Sequence, residues 1–238
     1  MRLYKNGRQF SKILVIPDLH TPFMDWKAVQ VVAKWAKKHE PDLIIQLGDL
    51  LDFKAWSRWP KDPDDYSPHD EFEFAIEATK RLYNLFPNME ILMGNHDLRI
   101  AKRALDVGFT RHILRDLQDV FPYEGWNWWS NPKERLIVNT QRGPILFQHG
   151  DEQAGNAIQK ARLFGVSVVQ GHDHQARIDF SETLSASVFG ASAGHLMDQS
   201  SKGARYAQRN GRYPVKGYMI IKFGVPYFIP IVDGENKV

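Results

Sequence analysis

Five short apolar runs in this chain stop at turns that carry aspartate, asparagine or histidine, and this recurrence constrains the fold more than any other feature. The runs 12–16, 43–47 and 90–93 read as buried strands, because they are short, aliphatic and bounded by Pro, Gly or Asn. Segments of helical spacing lie between them. Asp25 is placed to cap a helix reaching about Lys38, with Trp26, Val29, Ala33 and Ala36 on one face and Pro41 beyond its end. A second helix is expected over 71–86, through Phe74, Ala78, Leu82 and Leu85, closed by Pro87. Strands alternating with helices predict parallel βαβ units.

The second half changes character. Runs 135–138 and 145–148 flank the turn 140–143 and read as a hairpin. A helix over 153–164 should end at Gly165, and 166–170 is another buried strand. Runs 177–180, 187–189, 218–223 and 227–232 read as antiparallel strands, Pro230 favouring an edge position. The expected architecture is α/β: two mixed β-sheets packed as a sandwich flanked by helices, in one domain over 1–238. Stretches 53–70 and 99–130 fall outside the pattern and read as loop insertions at one end of the sheets. The first holds Trp56 and Trp59; the second is helical at first and ends in Trp126, Trp128 and Trp129.

Composition narrows the chemistry. Hydrophobic residues make up 43% of the 238, enough for a sizeable core. The chain has no cysteine, which excludes a disulfide scaffold and any Cys-ligated zinc or iron–sulfur site. The start, 1–11, is polar and basic, and the apolar run after it is too short for a signal segment or a membrane span. A soluble, cytoplasmic protein with no membrane partner is therefore expected. A net charge of +3 permits an anionic partner without demanding one.

The polar turns are Asp18-Leu19-His20, Gly48-Asp49-Leu50-Leu51-Asp52, Gly94-Asn95-His96-Asp97, His149-Gly150-Asp151 and Gly171-His172-Asp173-His174. Each alone reads as ordinary turn chemistry or a helix cap. Five at corresponding strand ends point to one shared site, since the carboxyl ends of strands are where α/β sheets assemble sites. The donors are carboxylates, imidazoles and one amide oxygen. That set suits two close divalent ions, Mn²⁺ first, with Fe, Zn²⁺ or Ni²⁺ as alternatives. A shared carboxylate can hold such ions ~3.5–4 Å apart, the arrangement of two-metal hydrolases.

In order and spacing these five blocks resemble the calcineurin-like metallophosphoesterase superfamily, from Asp18 to His174. The resemblance implies a β-sandwich flanked by helices and a phosphate-ester substrate. It also implies that Asp18, His20 and His174 hold one metal, that Asn95, His149 and His172 hold the other, and that Asp49 bridges them. His96 would act on the leaving-group oxygen as a general acid, and Asp52 would orient His96. Protein Ser/Thr phosphatases of the superfamily carry Asp-Arg-Gly after the second block and an Arg before the third. Here Phe53-Lys54 and Met93 stand in those places. The blocks look closer to the phosphodiesterase and nuclease branches. A phosphomonoesterase of a small metabolite is the alternative activity, and a non-catalytic scaffold the alternative class.

Substrate signals are diffuse. Arg99, Lys102, Arg103, Arg111 and Arg115 follow the third block. Lys202, Arg205, Arg209, Arg212, Lys216 and Lys222 interleave with Tyr206, Tyr213 and Tyr218. Basic residues mixed with aromatics can bind a nucleotide or nucleic acid, or form a solvated face. The tryptophans either fill the core or stack on a base, and His195 is a further candidate for substrate contact.

Overall fold

In β2 (Lys12–Ile16) all four of Ile13, Leu14, Val15 and Ile16 are buried, yet alternate residues belong to different apolar clusters. This period-two division, a consequence of the pleat, sets the layers of the molecule. The computed structural model describes residues 2–131, 135–151, 155–182, 186–201, 214–232 and 235–236.

Among these residues the chain forms two mixed sheets. The first contains β1 (Arg2–Leu3), β6 (Leu136–Thr140), β7 (Gly143–Gln148), β8 (Ser167–Gln170), β10 (Ser187–Ala193) and β9 (Ala176–Glu182), in that spatial order. The second contains β13 (Glu235–Asn236), β12 (Val225–Val232), β11 (Gly217–Lys222), β2, β3 (Leu43–Gln46), β4 (Met89–Leu92) and β5 (Trp126–Trp129). Strands β2 to β5 run parallel, as do β7 and β8, while β11 is antiparallel to β2.

Ile13, Val15, Ile45 and Leu47 pack with Val138, Ile145, Phe147 and Val169 between the sheets. On the outer face of the second sheet, Leu14 and Ile16 meet α1 (Trp26–His39) and α2 (Pro68–Leu85) through Val29, Val32, Ala75 and Leu82. On the outer face of the first, Leu146, Val168 and Val188 meet α5 (Ala157–Phe164). The expected sandwich with helices outside is the observed one.

Local chemistry explains the helix ends. Asp25 accepts from the amides of Lys27 and Ala28, and Lys37, Lys38 and His39 lie in the last turn of α1, where the helix dipole favours cations. Asn156 and Gln159 form a reciprocal capping box on α5, and Gly165 closes it in the left-handed conformation. The helix begins at Ala157 and not at residue 153, because Asn156 is its extended cap; residues 153 and 154 lie outside the described ones.

Two further expectations are corrected. The α2 helix begins at Pro68, not at residue 71: Ser67 caps it and proline sits at N1, where its missing N–H costs nothing. Its buried face carries Ala75 and Thr79 with Ala78 and Leu82, whereas Phe74 and Leu85 are exposed. The second correction concerns 99–130. Its helical start is borne out as α3 (Arg99–Asp106), and α4 (Leu117–Val120) follows, but its end is a strand, β5, which pairs parallel with β4. Trp126, Trp128 and Trp129 are buried there, Trp126 donating to the Phe86 carbonyl and Trp129 to Glu90. They belong to the core and not to a base-stacking wall. No described helix is long and apolar enough to cross a membrane.

Candidate metal centre

Each of the five polar turns follows a strand. Asp18 and His20 lie beyond β2, Asp49 and Asp52 beyond β3, and Asn95 and His96 beyond β4, all in the second sheet. His149 follows β7, and His172 and His174 follow β8, in the first. The facing sheets bring the two sets together. The ring Nδ1 of His149 lies 3.0 Å from the Leu47 carbonyl, and the His172 amide donates to both Asp18 oxygens at 3.2 and 3.0 Å.

Close backbone approach makes this meeting possible. A Cβ at Gly94 would overlap the amide and carboxylate of Asp49, and one at Gly171 would overlap the carboxylate of Asp18. His20, Asp49, His172 and His174 adopt φ values of 52°, 50°, 69° and 55°. Left-handed backbone at a non-glycine residue costs about 1–3 kcal/mol and is concentrated at functional sites. Here it turns four candidate ligands back over the strand ends.

Three groupings result among the described residues; one is His20, Asp52 and His96, and the other two hold the candidate ligands. In one of these two, His174 Nε2 lies 3.1 Å from Asp18 Oδ2 and 3.2 Å from His20 Nε2. In the other, Asn95 Oδ1 lies 3.1 Å from His149 Nε2 and 3.0 Å from His172 Nδ1, while Asp49 Oδ2 is 3.3 Å from His149 Nε2. Asp49 Oδ2 also stands 3.7 Å from His20 Nε2, so it faces both groups. All seven candidate ligands named from the sequence are thus brought together. Apart from Asn95 and His172, they are buried.

The donor chemistry fits a pair of cations. Asp18 and Asp49 are buried carboxylates facing one space, which is costly without countercharge. Burial alone would raise both; the charges and hydrogen bonds of His149 and His174 hold Asp18 below its ordinary value, and those of His149, His96 and His20 hold Asp49 well below. Burial should lower His149, yet the charge and hydrogen bond of Asp49 push it up to about 10. The tautomers are set by partners outside the clusters. His149 Nδ1 faces a carbonyl and His20 Nδ1 faces Asp52 Oδ1 at 2.9 Å, so in each ring Nδ1 keeps its hydrogen and Nε2 is the atom that would meet an ion.

Asp52 does more than expected from the sequence. Its Oδ1 accepts from His96 Nδ1 at 2.6 Å as well as from His20. It therefore orients a candidate ligand and the candidate acid together. Asp52→Asn is expected to weaken Mn²⁺ binding and slow ester hydrolysis, each by about 10–100-fold, the usual cost of removing a group that orients a metal-binding histidine. Calorimetric titration with Mn²⁺ beside the turnover rate checks this; unchanged metal affinity would leave only the His96 contact as consequential.

Two residues at the site, Asp97 and Lys160, were not singled out as functional from the sequence. Asp97 accepts from the amides of Asp49, Leu51 and Gly94, each at 2.8 Å, and so shapes the turn that carries Asp49. Its burial and the nearby Asp49 charge push it up to about 7, against the pull of those amides. An acid immediately after Asn95-His96 in a tight turn was its sequence signal. Lys160, buried on α5, donates to the Gly150 carbonyl and to Gln170 Oε1, tying together the turns after β7 and β8. A lysine among Ala157, Ile158 and Ala161 was the only hint. Arg99 donates from Nη1 to the Asp52 carbonyl at 2.8 Å, and its Nη2 lies 2.9 Å from His96 Nε2.

Several candidates lie elsewhere. His195 is fully buried, with its ring 5.5 Å from that of His174 and its Nδ1 accepting from the Met197 amide, so it packs beside a candidate ligand. Lys54 pairs with Asp65. Trp59 is exposed, and Trp56 lines a hollow with Ile100, Arg103, Ala104 and Val107. Lys102, Arg103, Arg111 and Arg115 are exposed. Lys202, Arg205, Tyr206, Arg209, Arg212 and Tyr213 lie outside the described residues.

The family model for calcineurin-like phosphoesterases matches residues 11–176. The Gene 54 protein of Mycobacterium phage L5 is 27% identical over an alignment covering 96% of each chain. The Gene 54 protein of Mycobacterium phage D29 is 28% identical over 71% of each. Among solved structures, Yfce, a phosphoesterase from E. coli, covers 95% of this chain and 97% of its own, at 14% identity and a TM-score of 0.49.

Proposed function

Because this chain belongs to the calcineurin-like phosphoesterase family, we propose that it is a dinuclear metal-dependent phosphodiesterase acting on a nucleotide or nucleic-acid ester. The observation that carries this reading is the meeting of two ligand clusters at Asp49, with His96 held beside them by Asp52. On this reading Asp18, His20 and His174 hold one ion and Asn95, His149 and His172 the other, with Asp49 shared. When bound, two divalent ions supply Lewis acidity toward phosphoryl oxygens and activate water near neutral pH. Oxygen and imidazole donors without thiolate make Mn²⁺ the first ion to test, ahead of Fe, Zn²⁺ and Ni²⁺.

The chain's own residues do the rest. His20 and His149 offer Nε2 because their Nδ1 atoms are engaged elsewhere. His96 lies against both Asp52 and Asp49, its Nε2 3.9 Å from Asp49 Oδ2, close enough to the shared ligand to serve the leaving oxygen. The nucleotide reading is supported by the exposed Lys102, Arg103, Arg111 and Arg115, which follow His96 in the chain together with the exposed Phe109.

A hydrolysis panel with Mn²⁺ tests the proposal. It should contrast an aryl phosphodiester, an aryl phosphomonoester, cyclic nucleotides, and single- and double-stranded DNA. Diester hydrolysis faster than monoester hydrolysis is expected, with oligonucleotide binding that weakens as salt rises. Monoester hydrolysis far above every diester would assign a small phosphorylated metabolite instead. No hydrolysis and no bound metal would assign a binding scaffold.

A further inference from the structure

The arginines that grip phosphate in protein phosphatases are missing from the second and third sequence blocks, and Lys54 does not replace them, because its ammonium is held by Asp65. A guanidinium nevertheless reaches the site. Arg99 opens α3, three residues beyond His96, and its side chain is only 18% exposed. Nη1 donates to the Asp52 carbonyl at 2.8 Å and stands 3.4 Å from Asp52 Oδ1, while Nη2 lies 2.9 Å from His96 Nε2.

The roles at that last contact follow from chemistry. His96 Nδ1 lies 2.6 Å from a carboxylate oxygen, which only accepts, so Nδ1 carries the hydrogen. Guanidinium only donates, so Nε2 accepts from Arg99. Arg99 therefore covers the one histidine nitrogen that the functional reading turns toward the ester, and its departure leaves Nε2 free to take up from solvent the proton that the acid role needs. An ester seated against His96 must draw Nη2 away, and a phosphoryl oxygen is the partner a guanidinium prefers, because the hydrogen bond is charge-assisted and can be bidentate. The Asp52 carbonyl can keep Nη1 as a pivot through that small movement.

We propose that Arg99 is the phosphate-binding cation of this site, passing from His96 Nε2 to a non-bridging phosphoryl oxygen when the ester binds. A single guanidinium matches the single negative charge of a phosphodiester. Arg99 thus supplies, from the turn after His96, the grip absent from position 53. The proposal rests on the phosphoesterase reading above, and its test separates the two.

The test compares wild type, Arg99→Ala, Arg99→Gln and Arg99→Lys, all loaded with Mn²⁺. Three quantities are measured: metal content, the Kd of inorganic phosphate by calorimetry, and KM and kcat for an aryl phosphodiester. Metal content should stay unchanged in every variant. Arg99→Ala and Arg99→Gln should weaken phosphate binding and raise KM by ~10–100-fold, the range for losing charge-assisted hydrogen bonds. Arg99→Lys should recover only part, because ammonium lacks the planar fork. Added methylguanidinium should partly rescue Arg99→Ala, which a merely structural role would not allow. Normal phosphate binding and KM in Arg99→Ala and Arg99→Gln overturn the proposal and leave the phosphoesterase reading standing. Weaker phosphate binding in the variants of a wild type that hydrolyses no ester overturns that reading and keeps the anion site. A wild type that binds no phosphate overturns the proposal outright. Should Arg99→Ala fold poorly, Arg99→Gln keeps a donor for the Asp52 carbonyl and decides the matter.

Discussion

Asp49→Ala is expected to remove ester hydrolysis and weaken both metal sites together. Its Oδ2 stands 3.3 Å from His149 Nε2 and 3.7 Å from His20 Nε2, one member of each cluster, and its Oδ1 accepts from the His96 amide at 2.8 Å. No other candidate ligand is so placed between the two groups. Losing this carboxylate strips shared charge from both clusters and frees the turn that carries His96. The rate should fall by at least about 10²–10³-fold, the scale of removing one preorganised electrostatic contact. Asp49→Asn, which keeps an acceptor for the His96 amide, should lose metal nearly as fully, because the charge is what the cations require. Metal content by elemental analysis, measured beside turnover, checks the result. A variant that retains two tight ions and near-normal turnover would contradict the shared-ligand role.

His96→Ala should separate metal binding from rate. His96 belongs to neither main cluster but shares Asp52 with His20. The alanine variant should keep its metal and lose about 10²–10⁴-fold in kcat, the usual worth of a positioned acid or base. The loss should depend on the leaving group. A nitrophenolate departs without much protonation, so its esters should suffer less than alkyl or nucleoside esters. Equal losses across leaving groups would show that His96 acts on the phosphoryl oxygens and not on the departing one.

The sheet cores and ligand turns were legible in the sequence because each is a local pattern. An aliphatic run that stops at a polar turn marks a strand end, and Asp18, Asp49, Asn95, His149 and His172 all follow such runs. What escaped depends on tertiary reach. Trp126 to Trp129 alternate around the exposed Asn127, but four residues beside a long irregular stretch give too short a signal to separate an edge strand from a loop. Pro68 looked like a loop residue because N1 tolerance shows only once the helix start is known. The double role of Asp52 and the approach of Arg99 require knowing which strand ends lie side by side. His195 drew attention as a histidine near a glycine, and only the fold shows its ring beside that of His174.

The division of the ligands between sheets has a mechanical consequence. Asp18 and His20 come from one sheet and His174 from the other; Asp49 and Asn95 face His149 and His172 in the same way. A loaded centre would rivet the open end of the sandwich, and its affinity becomes a ruler for how the sheets are seated on each other. Ile13 and Ile145 pack between the sheets, at the far ends of their strands from Asp18 and His149, yet a change there that lets one sheet slide alters the spacing of both clusters at once. Packing in the middle of the molecule and coordination at its rim are thus two readings of one alignment.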